Sequence, residues 1–268
     1  MKEDKNIFDK LANKWWFFLI LIIIFFIPSF STKPIVNPQE ISLLIIEVLK
    51  NSLILNFPVI FPFIKIIMIL FIIGIIIFKN KISRLFILFL ALLFLIVAIF
   101  QNMAFTVSYG FSILTGNIII QIISSLFLFY EFIINKNDFA YNKQFIWKYW
   151  VIPFALFAFW MPMDKNAQPD FNFLYLFNNE SLLTYCMLTP VVLSIFSISF
   201  PNINRAVLRA LSYIGFLYGV TNMLTWFVFN NEMWWLGVLH IPLFAISIYT
   251  FVLSFIKINH DLTAHNKA

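Results

Sequence analysis

The chain has 268 residues, of which 62% are hydrophobic and 11% charged, with a net charge of +6. A soluble domain carries about 25% charged residues, so this composition excludes one and predicts an all-α, polytopic helical membrane protein. The basic excess lies at the ends of apolar runs, which ties it to membrane topology and not to nucleic acid.

A single cysteine, Cys186, excludes an internal disulfide and any multi-thiolate metal site. Two of the three histidines, His260 and His265, lie in the polar C-terminal tail, so a haem between paired intramembrane histidines cannot be built. The 36 Phe accompany abundant Ile, Lys and Asn, all with AT-rich codons, and are not read as an aromatic cage. No cofactor, metal site or catalytic set is assigned.

A crossing helix needs roughly 20 apolar residues, and about 17 suffice. Eight segments meet that requirement: 15–31, 57–78, 84–101, 109–134, 147–163, 181–200, 208–229 and 236–257. The first follows MKEDKNIFDKLANK, a flank too long and acidic for a signal peptide. It is read as an uncleaved anchor, although SFS before Thr32 resembles a cleavage site. Between the first two spans, Ile41, Leu44, Ile45, Val48 and Leu49 fall at helical spacing, with Glu47 and Lys50 on another face. This predicts an interfacial helix near 41–55, flat on the membrane or over the bundle.

Polar side chains then collect at one end of the spans. The third ends in Gln101 and Asn102, and the fourth begins with TVSYGFSILTGNIIIQ, where Asn117 and Gln121 share a helical face. The fifth and sixth flank WMPMDKNAQPDFNFLYLFNNESLL. That stretch predicts an outer loop or lid over 164–180, with Asp170 and Glu180 at its edges and Tyr185 just inside the sixth span. In the seventh, Tyr218, Asn222 and Trp226 recur at helical spacing. The last outer loop brings Glu232, and His240 lies one to two turns into the eighth. Each has a structural alternative: amides bonding neighbouring helices, Glu180 favouring a helix start, Trp234 and Trp235 as interfacial anchors, a hydrogen-bonded neutral His240. The other halves of the spans look nearly blank.

Placing the N-terminus inside puts 14 Lys and Arg on the cytoplasmic side and three, Lys33, Lys50 and Lys165, outside, with Lys65 within a span. Both termini are therefore expected in the cytoplasm, as tails over 1–14 and 258–268 of a single transmembrane domain covering 1–268. Arg205 and Arg209, one turn apart on the inner side, are candidate contacts for lipid phosphates or a partner protein.

The expected location is a cell membrane, bacterial or archaeal, in multi-pass form, with the bilayer and other membrane subunits as partners. The leading functional expectation is a transport or solute-binding subunit whose pocket opens outward, lined by Asn117, Gln121, Asp170, Glu180, Tyr185, Tyr218, Asn222, Trp226, Glu232 and His240. An accessory subunit of a larger complex and an outer-leaflet enzyme are the alternatives. No nucleotide-binding or hydrolase motif supports the enzyme.

Overall fold

Runs of Ile, Leu and Phe bounded by Lys, Asn and Pro become helices because a backbone in lipid has to satisfy its own hydrogen bonds. The computed structural model describes residues 7–35, 37, 40–139, 148–164 and 166–256. His260, His265, Lys143, Lys165 and the tail over 258–268 lie outside the described residues, as do 1–6 of the N-terminal tail.

The described helices are α1 (Ile7–Leu11), α2 (Trp15–Phe25), α3 (Glu40–Lys50), α4 (Ile60–Phe78), α5 (Ser83–Phe100), α6 (Thr115–Ile134), α7 (Val151–Trp160), α8 (Tyr175–Asn178), α9 (Tyr185–Ser199), α10 (Arg205–Leu224) and α11 (Trp234–Leu253). Five stretches are long and apolar enough to cross a membrane: 60–81, 83–100, 115–134, 205–229 and 231–253. A sixth exists if 175–183 and 185–199, which meet at 97°, form one broken span.

The helix lengths therefore support five to six crossings, against the eight expected. The two shortfalls have a common cause. Helix α2 has 11 residues and α7 has 10, about 16 and 15 Å of rise against a hydrocarbon core of about 30 Å. Pro28 follows soon after α2. Met161, in the left-handed region at φ 49° and followed by Pro162, ends α7.

The expected fourth span also starts later, at Thr115, because its first residues are strand. Strands β1 (Phe30–Ser31), β2 (Met103–Thr106) and β3 (Gly110–Ile113) form a small antiparallel sheet in the order β1-β3-β2. The turn over 107–109 closes because Thr106 Oγ1 accepts from Tyr109 N (3.1 Å) and donates to the Gly110 carbonyl (3.1 Å). Gly110 supplies the φ of 69° that brings the chain back. The helix expected near 41–55 is present as α3, over Glu40–Lys50. Its buried Leu44 and Val48 pack with Ala104, Tyr109 and Leu114, so α3 covers the sheet.

In the bundle α5 lies along α6 and α10 along α11, while α9 packs against α7, α10 and α11. All but three of the 15 residues of α9 are buried. In contrast α4 exposes Ile66, Ile73, Ile76 and Ile77, an apolar face suited to lipid. Gly215 and Gly219, spaced as in GxxxG, let α11 approach α10. A Cβ on Gly219 would lie 2.8 Å from Phe244 Cα.

Candidate functional site

At the sheet end of the bundle, five of the expected residues meet in one network, in which Gln121, Tyr185 and Tyr218 are buried and Asn222 and Trp226 half-buried. Gln121 on α6 donates through Nε2 to the Tyr218 hydroxyl on α10 (3.0 Å) and accepts at Oε1 from Asn102 Nδ2 (2.8 Å). The Tyr185 hydroxyl on α9 lies 3.0 Å from Ser124 Oγ on α6, and the rings of Tyr185 and Tyr218 tilt together at 4.8 Å. Above them Asn222 donates to the Tyr218 carbonyl (2.8 Å) and accepts from Trp226 Nε1 (2.9 Å). Phe94 and Phe25 set their edges against Tyr185 and Tyr218, at 5.5 and 5.0 Å.

Two irregularities in the backbone border this network. Thr184 is extended, so α9 begins inside the bundle, and Gln101 Oε1 accepts from the Tyr185 amide N–H (2.9 Å). After α10 the chain widens into a π-helix over Thr225–Phe229, which carries Trp226 and follows Asn222. Such one-turn expansions recur at functional sites. Asn102 is fully buried, yet its Oδ1 has no hydrogen-bond partner among the described residues.

The remaining expected residues lie elsewhere. Asn117 is half-buried one turn before Gln121. Asp170 accepts from the Tyr175 hydroxyl (2.6 Å) and the Asn172 amide (3.1 Å) within its own loop. Glu180 is half-buried, Glu232 is exposed on a short 3-10 turn, and His240 Nδ1 bonds the Leu236 carbonyl of its own helix (2.6 Å). The loop over 164–180 packs mainly against α4, α7 and the Trp235 end of α11: Trp160 stacks on Phe173, and Phe171 meets Trp235 edge-on. The chain runs on from it into the network at Thr184 and Tyr185, where α9 begins.

That loop is held by Lys65, which the polar pattern did not single out as a site residue. Lys65 is completely buried in the second turn of α4. Its Nζ donates to the Phe159 carbonyl (3.0 Å), the Tyr175 carbonyl (2.5 Å) and Asn179 Oδ1. Asn179 Nδ2 donates to the Trp160 and Met161 carbonyls (2.8 and 3.1 Å), and Ser181 Oγ to Phe159 (2.6 Å). Because α7 stops short, its last carbonyls have no partner in their own helix. Lys65, Asn179 and Ser181 replace that partner, and the ammonium lies at the negative end of the helix dipole. The signal was a lone Lys in an apolar run; its partners lie 94 to 114 residues away.

The opposite end is less blank than the sequence suggested. Glu131, completely buried, accepts from the Lys136 and Asn137 amides at Oε1 (2.7 and 2.6 Å) and from Asn204 Nδ2 at Oε2 (2.7 Å), tying the end of α6 to the start of α10. Arg209, 7% exposed, donates to the Ala12 carbonyl (3.2 Å), Asn13 Oδ1 (2.5 Å), and the hydroxyl and carbonyl of Ser254 (3.2 and 2.9 Å). These bonds turn its guanidinium inward; Arg205 lies over the Phe200 ring at 5.4 Å. Ser194, Ser197 and Thr250 are buried and bond carbonyls of their own helices at 2.7–2.9 Å. Among the described residues no three of His, Cys, Asp and Glu converge as metal ligands.

These features define a helical, membrane-embedded protein with a buried amide and phenol network at one end. The chain matches no protein-family model, no curated protein and no solved structure.

Proposed function

We propose that the protein is a transport or solute-binding membrane subunit whose site is the Asn102, Gln121, Tyr185, Tyr218 and Asn222 network. The carrying observation is the break at Thr184, which sets the N-terminus of α9 and the Tyr185 amide against buried side-chain amides inside the bundle. Discontinuous helices with polar groups at the break are how many secondary transporters hold solutes and ions. Polar groups kept at membrane depth commonly mark a pathway. The unbonded Asn102 Oδ1 favours a solute that brings a hydrogen-bond donor, such as a neutral polar molecule or a small cation.

In this reading the sheet end faces outward, the orientation expected from the Lys and Arg tally, in the plasma membrane of a bacterium or archaeon. The network is closed by Phe25, Phe94 and the paired tyrosines. The other expected residues, Asn117, Asp170, Glu180, Glu232 and His240, then belong to the approach and not to the closed site.

The test is a thermal-shift screen of the purified protein against neutral polar and monocationic solutes, repeated on Gln121→Leu and Tyr218→Phe. A solute that stabilises the wild type and not the variants supports the site, and one that stabilises all three equally removes it. One observation favours an accessory subunit instead: the Gln121–Tyr218 and Tyr185–Ser124 bonds run from helix to helix, as in a purely structural contact. That alternative predicts lower melting temperatures for both variants and no solute response in any form.

A further inference from the structure

The corner where α1 turns into α2 forms a groove against α6, with a volume of about 290 Å³. Every lining residue is apolar. Leu11 comes from α1, Trp16 and Ile20 from α2, Ile123 and Leu126 from α6, and the nearly buried Phe127 forms the floor. Trp16, Ile20 and Leu126 remain 40%, 43% and 48% exposed, so the groove opens sideways toward lipid. The corner is fixed from behind by Arg209, which bonds the Ala12 carbonyl and the Asn13 side chain.

The chain that supplies the α1 and α2 walls also carries the opposite chemistry. Lys10 and Lys14 are exposed on either side of Leu11 in the chain, and Trp15, 75% exposed, follows directly. Tryptophan prefers the headgroup level of a bilayer. Trp15 and Trp16 therefore place Lys10 and Lys14 among the headgroups, with Ile20 and Ile123 deeper, among the acyl chains. Cations above and an apolar groove below match the order of a lipid with a negative headgroup. We infer that this groove binds an anionic phospholipid, its acyl chain between α2 and α6 and its phosphate at Lys10 and Lys14. The lipid-phosphate contact expected of Arg209 thus moves to lysines that are exposed, while Arg209 shapes their support.

The inference is tested by native mass spectrometry of the full chain in nonionic detergent, titrated with phosphatidylglycerol or phosphatidylcholine of identical acyl chains. Phosphatidylglycerol is expected to bind at least roughly tenfold more tightly. The double variant Lys10→Gln/Lys14→Gln should weaken it by roughly thirtyfold, the effect of two basic residues at an anionic surface. Leu126→Trp and, independently, Ile20→Trp fill the groove from opposite walls and should each abolish the tight adduct with both lysines intact. Equal affinity for the two lipids overturns the inference. So does a lysine effect that persists when the groove is filled, because attraction would then be to diffuse charge.

Discussion

Replacing Lys65 with Met keeps the length of the side chain and removes the ammonium from beneath the loop over 164–180. Three acceptors lose a donor: the carbonyls of Phe159 and Tyr175, and Asn179 Oδ1. Two of them keep another, since Ser181 Oγ still donates to Phe159 and the Ser181 amide to Asn179 Oδ1 (3.3 Å). The loss is therefore smaller than three full bonds, and at about 1 kcal/mol per typical bond it comes to about 2 kcal/mol. For a chain of this size that lowers the melting temperature by roughly 4–8 °C. The damage should be local first. Hydrogen exchange over 166–184 should accelerate roughly thirtyfold, while the centre of α9 stays protected. A melting temperature within about 1 °C of wild type, with unchanged exchange in that segment, would refute the role of Lys65 as the external cap of α7.

Two further substitutions test the framework around the site. In Glu131→Gln one carboxylate acceptor becomes an amide donor facing the Asn204 side chain or the backbone amides after α6. The expected cost is about 1–3 kcal/mol, read as a lower melting temperature and faster exchange over 135–139, and wild-type behaviour in both would exclude the acceptor role. Gly219→Leu drives a side chain into the backbone of α11 at Phe244. Overpacking of this kind costs about 1–3 kcal/mol; if the variant melts like the wild type, α10 and α11 are not as close as described.

Much of the framework was legible in the sequence. Helices α4, α5, α6, α10 and α11 come from long, predominantly apolar runs, a signal that needs no tertiary information. The count of spans failed where apolarity and helicity part: 15–31 and 147–163 are predominantly apolar, yet Pro28 and the left-handed Met161 followed by Pro162 shorten their helices. The hairpin at 103–113 was hidden because its strands are four residues long, too short to show alternation beside a long apolar helix. Within the site, Gln121, Tyr185, Tyr218, Asn222 and Trp226 stood out as polar side chains in apolar spans. The acidic residues stood out for the same reason and do not join them, since polarity marks a candidate without naming its partner. Lys65 and Glu131 depend on partners distant in the chain or on loop amides that no local pattern displays.

The hydroxyls of Ser194, Ser197 and Thr250 bond carbonyls of the helices that carry them. A group satisfied within its own helix sets no register on the helix beside it, and exchanging it for alanine removes no link between segments. A mutational tolerance map of this protein should therefore be banded. Sensitivity should concentrate at the two ends, around Lys65 and the amide network and again around Glu131 and Arg209. Between them lies a permissive zone where side-chain volume, and not chemistry, is what the fold reads.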